Sequence, residues 1–127
     1  MAVTILVADD EVYIVELLSE LLQMEGYQVL RAYDGTEALM AIERHCPDVV
    51  LTDNMMPGYS GLEVIAYLHH HPTCSAPVIL MSAVTPVPIP PETHFLPKPF
   101  DIDELLALVA QLLPDQGSAA SPEAALE

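Results

Sequence analysis

Short apolar runs in this sequence end in polar side chains that could take part in chemistry. Apolar runs of four to six residues are typical of the buried strands of a parallel sheet. Because the carboxyl ends of such strands meet at one edge, where ligands bind, the side chains that follow the runs are expected to converge. They provide three carboxylates, one hydroxyl and the only ammonium group of a lysine: Asp9, Asp10, Asp53, Ser82 and Lys98.

Three carboxylates at one edge favour the binding of a cation or the uptake of a proton by one of them. At about 5 Å and an effective dielectric constant near 20, each pair repels by about 3 kcal/mol. An all-oxygen site suits Mg²⁺, which prefers one or two carboxylates together with phosphate oxygens. Asp53 could then attack phosphorus and form an aspartyl phosphate, while the metal and Lys98 balance the charge of the phosphoryl oxygens. The Ser82 hydroxyl could donate a hydrogen bond to one of these oxygens and so report phosphate.

Each of these residues also has a simpler explanation. Asp9 and Asp10 could cap a helix, and Asp53 could begin a turn, since a Pro/Gly loop follows it. Ser82 alone could be a turn residue, and Lys98 alone could be solvated. We favour the functional interpretation because all five stand at predicted strand ends.

Histidines and cysteines receive structural interpretations. The run His69, His70 and His71 could suggest a metal site, but adjacent residues at a helix end point in different directions. We therefore interpret the run as a solvated helix end. Cys46 and Cys74 are too few to indicate a disulfide framework, so a reducing cytoplasm is the expected location.

Charge limits the classes of partner. The 127 residues include 19 acids and three lysines and arginines, for a formal net charge of −16. Binding of nucleic acid or anionic lipid depends on cationic side chains, so neither partner is expected for this chain alone. The sequence begins with a short apolar run that ends in acids, which indicates neither a signal peptide nor a membrane span. Any output is expected to be a contact with another protein.

Strand and helix signals alternate along the chain. Predicted strands cover 4–8, 28–32, 49–53, 78–81 and 94–96, and predicted helices cover 11–25, 34–45, 60–70 and 101–113. The first, third and fourth strands are continuously apolar, whereas the other two suit sheet edges. This alternation predicts an α/β fold with a doubly wound, flavodoxin-like sheet of five parallel strands in the order 2-1-3-4-5. The order places the first and third strands side by side.

The connection between the last two strands departs from this alternation. Only 11 residues separate Ser82 from His94, and four of them are prolines. A parallel crossover usually needs a dozen or more residues with a helix. An extended chain of this length covers about 34 Å, but a helix covers only about 16 Å, roughly the length of one strand. Because prolines also interrupt helices, we predict that the fourth helix is missing or reduced to a turn.

Four motifs give the sequence a resemblance to a known family. They are 7–11, 53–57 with Gly61, 82–83 and 95–100. With these motifs, residues 3–113 resemble the receiver domain of two-component response regulators. The resemblance implies a receiver domain at 1–113, followed by a flexible tail or linker at 114–127. It also implies that Asp53 accepts a phosphoryl group from a histidine kinase or a phosphotransfer protein, in a reaction that requires Mg²⁺.

The resemblance further implies roles at the metal site. Asp10 is the expected direct ligand of Mg²⁺, and Asp9 acts mostly through water. Asp53 supplies a carboxylate oxygen, and Met55 supplies its backbone carbonyl, so the Met55 side chain is not constrained by that role.

Other roles implied by the resemblance concern the phosphoryl group. Lys98 pairs with it, and the Lys98–Pro99 peptide bond is expected to be cis, a state open to X-Pro bonds. Ser82 takes the hydroxyl switch position and Phe95 the aromatic switch position. Because output in this family usually passes through the fourth helix, the fifth strand and the fifth helix, a missing fourth helix would alter the output face.

Three functions remain open on the sequence. The leading one is a phosphorylation-controlled switch, either without its own effector domain or as part of a longer protein. The second is a phosphate-independent module that keeps the fold and binds partners through an altered face. The third, an aspartate-nucleophile phosphatase, usually needs a second acid two residues after the nucleophile, where this chain has Met55. We therefore expect no enzyme beyond self-catalysed phosphotransfer and autodephosphorylation.

Overall fold

A computed structural model describes residues 2–84 and 89–113 of the chain. In chain order, the elements are β1 (Thr4–Ala8), α1 (Val12–Met24), β2 (Gln28–Ala32), α2 (Gly35–Arg44), β3 (Val49–Asp53), α3 (Gly61–His69), β4 (Val78–Ser82), β5 (Thr93–Pro97) and α4 (Ile102–Leu112). The five strands are parallel and lie in the order β2-β1-β3-β4-β5, which confirms the predicted sheet. None of the helices in the described ranges is long and apolar enough to cross a bilayer.

The sheet separates two apolar cores. Successive side chains of a strand point to opposite faces, so each inner strand contributes to both cores. One core lies between the sheet, α1 and α4, and it contains Ile5 and Leu51. The other lies between the sheet, α2 and α3, and it contains Leu6 and Val50. All residues of β3 and β4 are buried, which explains their continuously apolar sequences and fixes the polar residues at their ends.

The connection between β4 and β5 follows the prediction. Its described residues, 83–84 and 89–92, contain no helix, whereas every other connection between consecutive strands carries one. The segment 85–88, which holds two of the four prolines, lies outside the described residues.

The amino end of the sheet corrects the interpretation of the cysteines. Cys46 and Cys74 form a disulfide, with a Cα–Cα distance of 5.6 Å and 28 residues of separation in sequence. Cys46 lies in the loop between α2 and β3, and Cys74 lies in the loop between α3 and β4. Because β3 and β4 are neighbours, both loops lie at the same edge of the sheet. The low cysteine count was therefore a poor guide to pairing.

The interpretation of the histidine run is wrong at its last residue. His69 and His70 are exposed, as expected for a solvated helix end. The His71 side chain is only 13% exposed, and its Nε2 lies 2.9 Å from Glu43 Oε2. Its Nδ1 accepts hydrogen bonds from the backbone N–H groups of Thr73 and Cys74. These two hydrogen bonds and the contact with Glu43 hold the ring in place.

Candidate functional site

Two neighbouring strands place the predicted acids together. Ala8 of β1 pairs with Thr52 of β3, so Asp9 and Asp53, the next residue of each chain segment, lie side by side. The carboxylate groups of Asp9, Asp10 and Asp53 each offer an oxygen, and these oxygens all lie within 4.8 Å of one another. Asp9 is fully buried, Asp53 is 7% exposed, and Asp10 is exposed. The cluster therefore opens to solvent on the Asp10 side.

Lys98 reaches the acids from the end of β5. Its backbone N–H donates to the carbonyl oxygen of Ser82 at 2.9 Å, which holds the residue against the end of β4. Its Nζ donates to Asp9 Oδ2 at 2.9 Å and lies 3.2 Å from Asp53 Oδ1. Glu11 Oε1 is more distant, at 3.9 Å. One ammonium group thus contacts two buried carboxylates, and the Lys98–Pro99 bond that follows it is cis.

Charge at the site is unbalanced. Burial raises the pKa of Asp53, and the charge of Asp9 raises it further, against the lowering effect of Lys98. Burial lowers the pKa of Lys98, but hydrogen bonds and charges of Asp9 and Asp53 outweigh that effect, so its pKa is raised. Lys98 therefore stays charged while Asp53 carries its charge at a cost. A bound cation or a proton on Asp53 would relieve this cost.

The loop after β3 fixes the position of Asp53. The Asn54 side chain accepts a hydrogen bond from the backbone N–H of Leu62 at 3.1 Å. The backbone carbonyl oxygen of Asn54 accepts another from the N–H of Gly61 at 2.9 Å. A Cβ atom on Gly61 would lie 2.4 Å from the carbonyl oxygen of Asp53, a distance that real Cβ atoms do not show. The Ser60 side chain caps α3 just before this contact. The first turn of α3 is therefore packed directly against the end of β3.

The sequence interpretation missed two contributions to this geometry. Asn54 anchors α3, and its signal was available, since Asn next to a Pro/Gly loop commonly bonds to nearby backbone. The backbone N–H of Glu11 donates to Asp9 Oδ1 at 2.9 Å. This contact also had a signal in the sequence, since an Asp side chain commonly accepts a hydrogen bond from the backbone N–H two residues further on.

The predicted switch residues lie near this edge in different environments. Ser82 is buried at the end of β4, where its hydroxyl accepts a hydrogen bond from the N–H of Val84 at 3.1 Å. Phe95 is half-buried in β5 and packs against the α2–α3 core, three residues before Lys98. The Met55 residue is 72% exposed. The structure thus brings Asp9, Asp10, Asp53 and Lys98 into one cluster and places Ser82 beside it, whereas Phe95 lies farther back along β5.

Comparisons with known proteins agree with this arrangement. The family model for the response regulator receiver domain matches residues 5–110. Sporulation initiation phosphotransferase F of Bacillus subtilis is 37% identical over 117 residues, which cover 87% of this chain and 93% of that protein. Response regulator MprA of Mycobacterium sp. strain KMS is 39% identical over 127 residues, which cover 92% of this chain and 55% of that protein. This chain therefore spans only about half the length of that longer relative.

Solved structures share the architecture. Response regulator TrrA of Thermotoga maritima, solved in complex with Mg²⁺-BeF, is 38% identical and has a TM-score of 0.77. That match covers 87% of this chain and 99% of TrrA. The receiver domain of the hybrid histidine kinase CckA is 34% identical, with a TM-score of 0.75 over 87% of this chain and 98% of that domain.

Proposed function

The chain belongs to the response regulator receiver domain family, and from this membership and the site geometry we propose that Asp53 accepts a phosphoryl group in a Mg²⁺-dependent relay. The observation that carries the proposal is the single ammonium group of Lys98 between two buried carboxylates, next to the exposed Asp10. A Coulombic cluster of this kind, open on one side, is suited to a phosphoryl group and a cation together.

Transfer to Asp53 needs no external oxidant or reductant. A carboxylate oxygen of Asp53 attacks phosphorus, and the bond between phosphorus and the donor breaks with its electron pair leaving on the donor. Lys98, already 3.2 Å from Asp53 Oδ1, would move its ammonium group onto a phosphoryl oxygen. Solvent then supplies any proton that the departing donor group takes up. The product is an acyl phosphate on Asp53. We propose that the chain hydrolyses this acyl phosphate itself and acts on no other substrate.

The acids divide into ligands and a positioning residue. Both oxygens of Asp9 already have partners, the N–H of Glu11 and the Nζ of Lys98. We therefore assign Asp9 to orienting Lys98 and to contacting the metal through water. Asp10, exposed at the mouth of the cluster, would hold Mg²⁺ directly with Asp53 and the Met55 carbonyl. When bound, the cation neutralises charge on the phosphoryl oxygens.

Ser82 and Phe95 would report the phosphorylated state. The Ser82 hydroxyl acts as an acceptor toward Val84, so its own hydrogen can be donated to a phosphoryl oxygen. That bond would draw the segment after β4 toward Asp53. Phe95 lies on the neighbouring strand, opposite Leu80, and we propose that its half-buried ring repacks when this segment moves.

An apolar groove beside Lys98 fits the phosphodonor protein. The groove has a volume of about 500 Å³, and Tyr13 and Leu17 of α1 and Phe100 before α4 are among its lining residues. Tyr13 is 71% exposed. A histidine kinase or phosphotransfer protein that presents its phosphohistidine to Asp53 would cover this groove. With a histidine kinase or a phosphotransfer protein as the donor, we propose a cytoplasmic location for the domain.

The phosphoacceptor role is tested by intact mass. The chain is incubated with Mg²⁺ and acetyl phosphate, beside Asp53→Asn and the exposed-site control Asp103→Asn. The chain and the control are expected to gain one phosphoryl group, which chelation of Mg²⁺ prevents, and Asp53→Asn is expected to gain none. No gain in the chain itself, together with undetectable Mg²⁺ binding, would instead favour a phosphate-independent module. The observation that supports a phosphate-independent module is that the described residues between β4 and β5 contain no helix.

The docking groove is tested by a charge on α1. Leu17→Glu should slow phosphoryl transfer from a phosphohistidine protein about tenfold or more, because an apolar contact of the partner would face a charge. Transfer from acetyl phosphate should not change. Met24→Glu is the matched control, since Met24 is an exposed apolar residue at the carboxyl end of the same helix. Equal slowing in both variants would show that the groove is not the docking surface.

A further inference from the structure

The amino end of the sheet carries a group of contacts that phosphoryl transfer does not use. The disulfide between Cys46 and Cys74 joins the loop after α2 to the loop after α3. These residues are the only cysteines of the chain. The site lies beyond the start of β3, whereas Asp53 ends that strand, so a five-residue strand of roughly 16 Å separates the two.

The two cysteines differ in accessibility. Cys46 is exposed, whereas Cys74 is 1% exposed. Thiol–disulfide exchange begins with attack by a thiolate on one sulfur, and access decides which sulfur is attacked. A small thiol from solvent would therefore reach the sulfur of Cys46 and release Cys74.

Hydrogen bonds that involve no sulfur atom join the same two parts of the chain. Glu43, at the end of α2, accepts a hydrogen bond from the Tyr67 hydroxyl and lies 2.9 Å from the Nε2 of His71. The Nδ1 of His71 accepts the backbone N–H of Cys74 at 2.9 Å. None of these contacts involves a sulfur atom, so reduction of the disulfide removes none of them. A reduced chain would thus keep the cysteines close enough to pair again.

We propose that Cys46 and Cys74 are a reversible redox site that sets the stability of the domain independently of phosphorylation. In the oxidation step, two thiols lose two protons and two electrons and form one S–S bond. A low-molecular-weight disulfide accepts them and becomes two thiols, and a small dithiol reverses the step. The oxidised link ties positions 28 residues apart, so it restricts the unfolded chain and favours the folded one.

A redox titration of the full chain tests the site. The protein is equilibrated with defined ratios of oxidised to reduced glutathione, quenched with acid, alkylated with N-ethylmaleimide under denaturing conditions and weighed. We expect one reversible transition between a form two hydrogens lighter that takes no maleimide and a reduced form that takes two. A chain that never loses two hydrogens, or that links to a second copy instead, would overturn the proposal.

Single serine variants test the predicted asymmetry. In the folded state, Cys74→Ser leaves the exposed Cys46 and should form a glutathione adduct at least tenfold faster than Cys46→Ser, which leaves the buried Cys74. In urea the two rates should become similar. Equal rates in the folded state would overturn the assignment of Cys46 as the point of attack.

The effect on stability is read from urea unfolding midpoints. The oxidised chain should unfold at a clearly higher urea concentration than the reduced chain. The double variant Cys46→Ser/Cys74→Ser should show the reduced chain's midpoint in both redox buffers. Identical midpoints for the oxidised and reduced chain would overturn the proposed control of stability. None of these measurements uses phosphoryl transfer, so their outcome is independent of the role of Asp53.

Discussion

The two ends of the parallel sheet differ in how their polar groups are balanced. At the carboxyl end, Asp9 and Asp53 are buried and share the single ammonium group of Lys98. At the amino end, a disulfide joins the loops, and His71 is bonded both to Glu43 and to backbone N–H groups. At the amino end, these groups find their partners within the chain itself. The carboxyl end keeps a surplus of negative charge, which a bound cation can neutralise.

This difference predicts where substitutions affect chemistry and where they affect stability. Preorganised charge acts on a reaction only when it faces the reacting atoms. Groups at the amino end are a strand's length from Asp53, so they can change the free energy of unfolding without changing transfer. Changes at the carboxyl end can alter both quantities, because the same carboxylates are buried and reactive.

The largest change in the rate of phosphoryl uptake is expected when the ammonium group at the carboxyl end is removed. Lys98→Gln should lower the rate of phosphoryl uptake from acetyl phosphate by about 100-fold, because a preorganised donor to the phosphoryl oxygens is removed. The rate is measured by intact mass over time at saturating Mg²⁺.

The matched control for this prediction is at the other end of the sheet. Arg44→Gln removes the same charge from the last turn of α2, where the side chain is exposed. Its rate should stay within about twofold of the unaltered chain, as expected for a distant surface charge that salt screens. If Arg44→Gln were as slow as Lys98→Gln, net charge rather than position would govern transfer, and the contrast between the two ends would fail.

The carboxyl end was also the part that the sequence could predict. The apolar runs identify buried strands, and the crossover rule for parallel sheets brings their carboxyl ends together. Asp9, Asp10 and Asp53 therefore follow from local pattern and topology alone. The absence of a helix from the described residues between β4 and β5 followed from the prolines and the short connection.

The amino end could not be predicted in the same way. The contact between Cys46 and Cys74 depends on the paths of two loops, and loops carry no periodic signal. His71 was misjudged for the same reason, since its partner Glu43 lies 28 residues away in sequence. Contacts between residues far apart in sequence are set by tertiary packing, and no local pattern in the sequence indicates them.

A second prediction concerns the junction that holds Asp53 in place. Gly61→Ala should reduce the free energy of unfolding by about 1–3 kcal/mol, because the added Cβ would overlap the carbonyl oxygen of Asp53. It should also slow phosphoryl uptake several-fold, since the end of β3 must shift. Urea unfolding and the mass assay measure the two effects.

Gly26→Ala is the matched control for that substitution. Gly26 has a φ of 96°, so alanine is strained there, but nothing lies within 4 Å of the added atom. This variant should lose about 1 kcal/mol of stability and keep its rate of phosphoryl uptake. A normal rate in Gly61→Ala would show that Asp53 does not depend on the packing of α3.

The smallest expected effect tests whether the carboxyl end is destabilised without a cation. Burial and the charge of Asp9 raise the pKa of Asp53 in the folded chain. The folded state therefore binds this proton more tightly than the unfolded state, and stability at neutral pH is lower than it would be with a neutral side chain. Asp53→Asn should accordingly have a higher urea midpoint than the unaltered chain at pH 7 in the presence of a chelator.

The advantage of Asp53→Asn should depend on pH and on metal. As the pH falls through the raised pKa toward the usual value for aspartate, Asp53 takes up its proton and the two midpoints should approach each other. Excess Mg²⁺ should also reduce the difference, because the cation stabilises only the ionised site. Glu20→Gln, an exposed change on α1, should show neither dependence. A lower midpoint for Asp53→Asn without metal would mean that the ion pair with Lys98 outweighs burial and the repulsion from Asp9. The carboxyl end would then be stabilised by its own chain, as the amino end is.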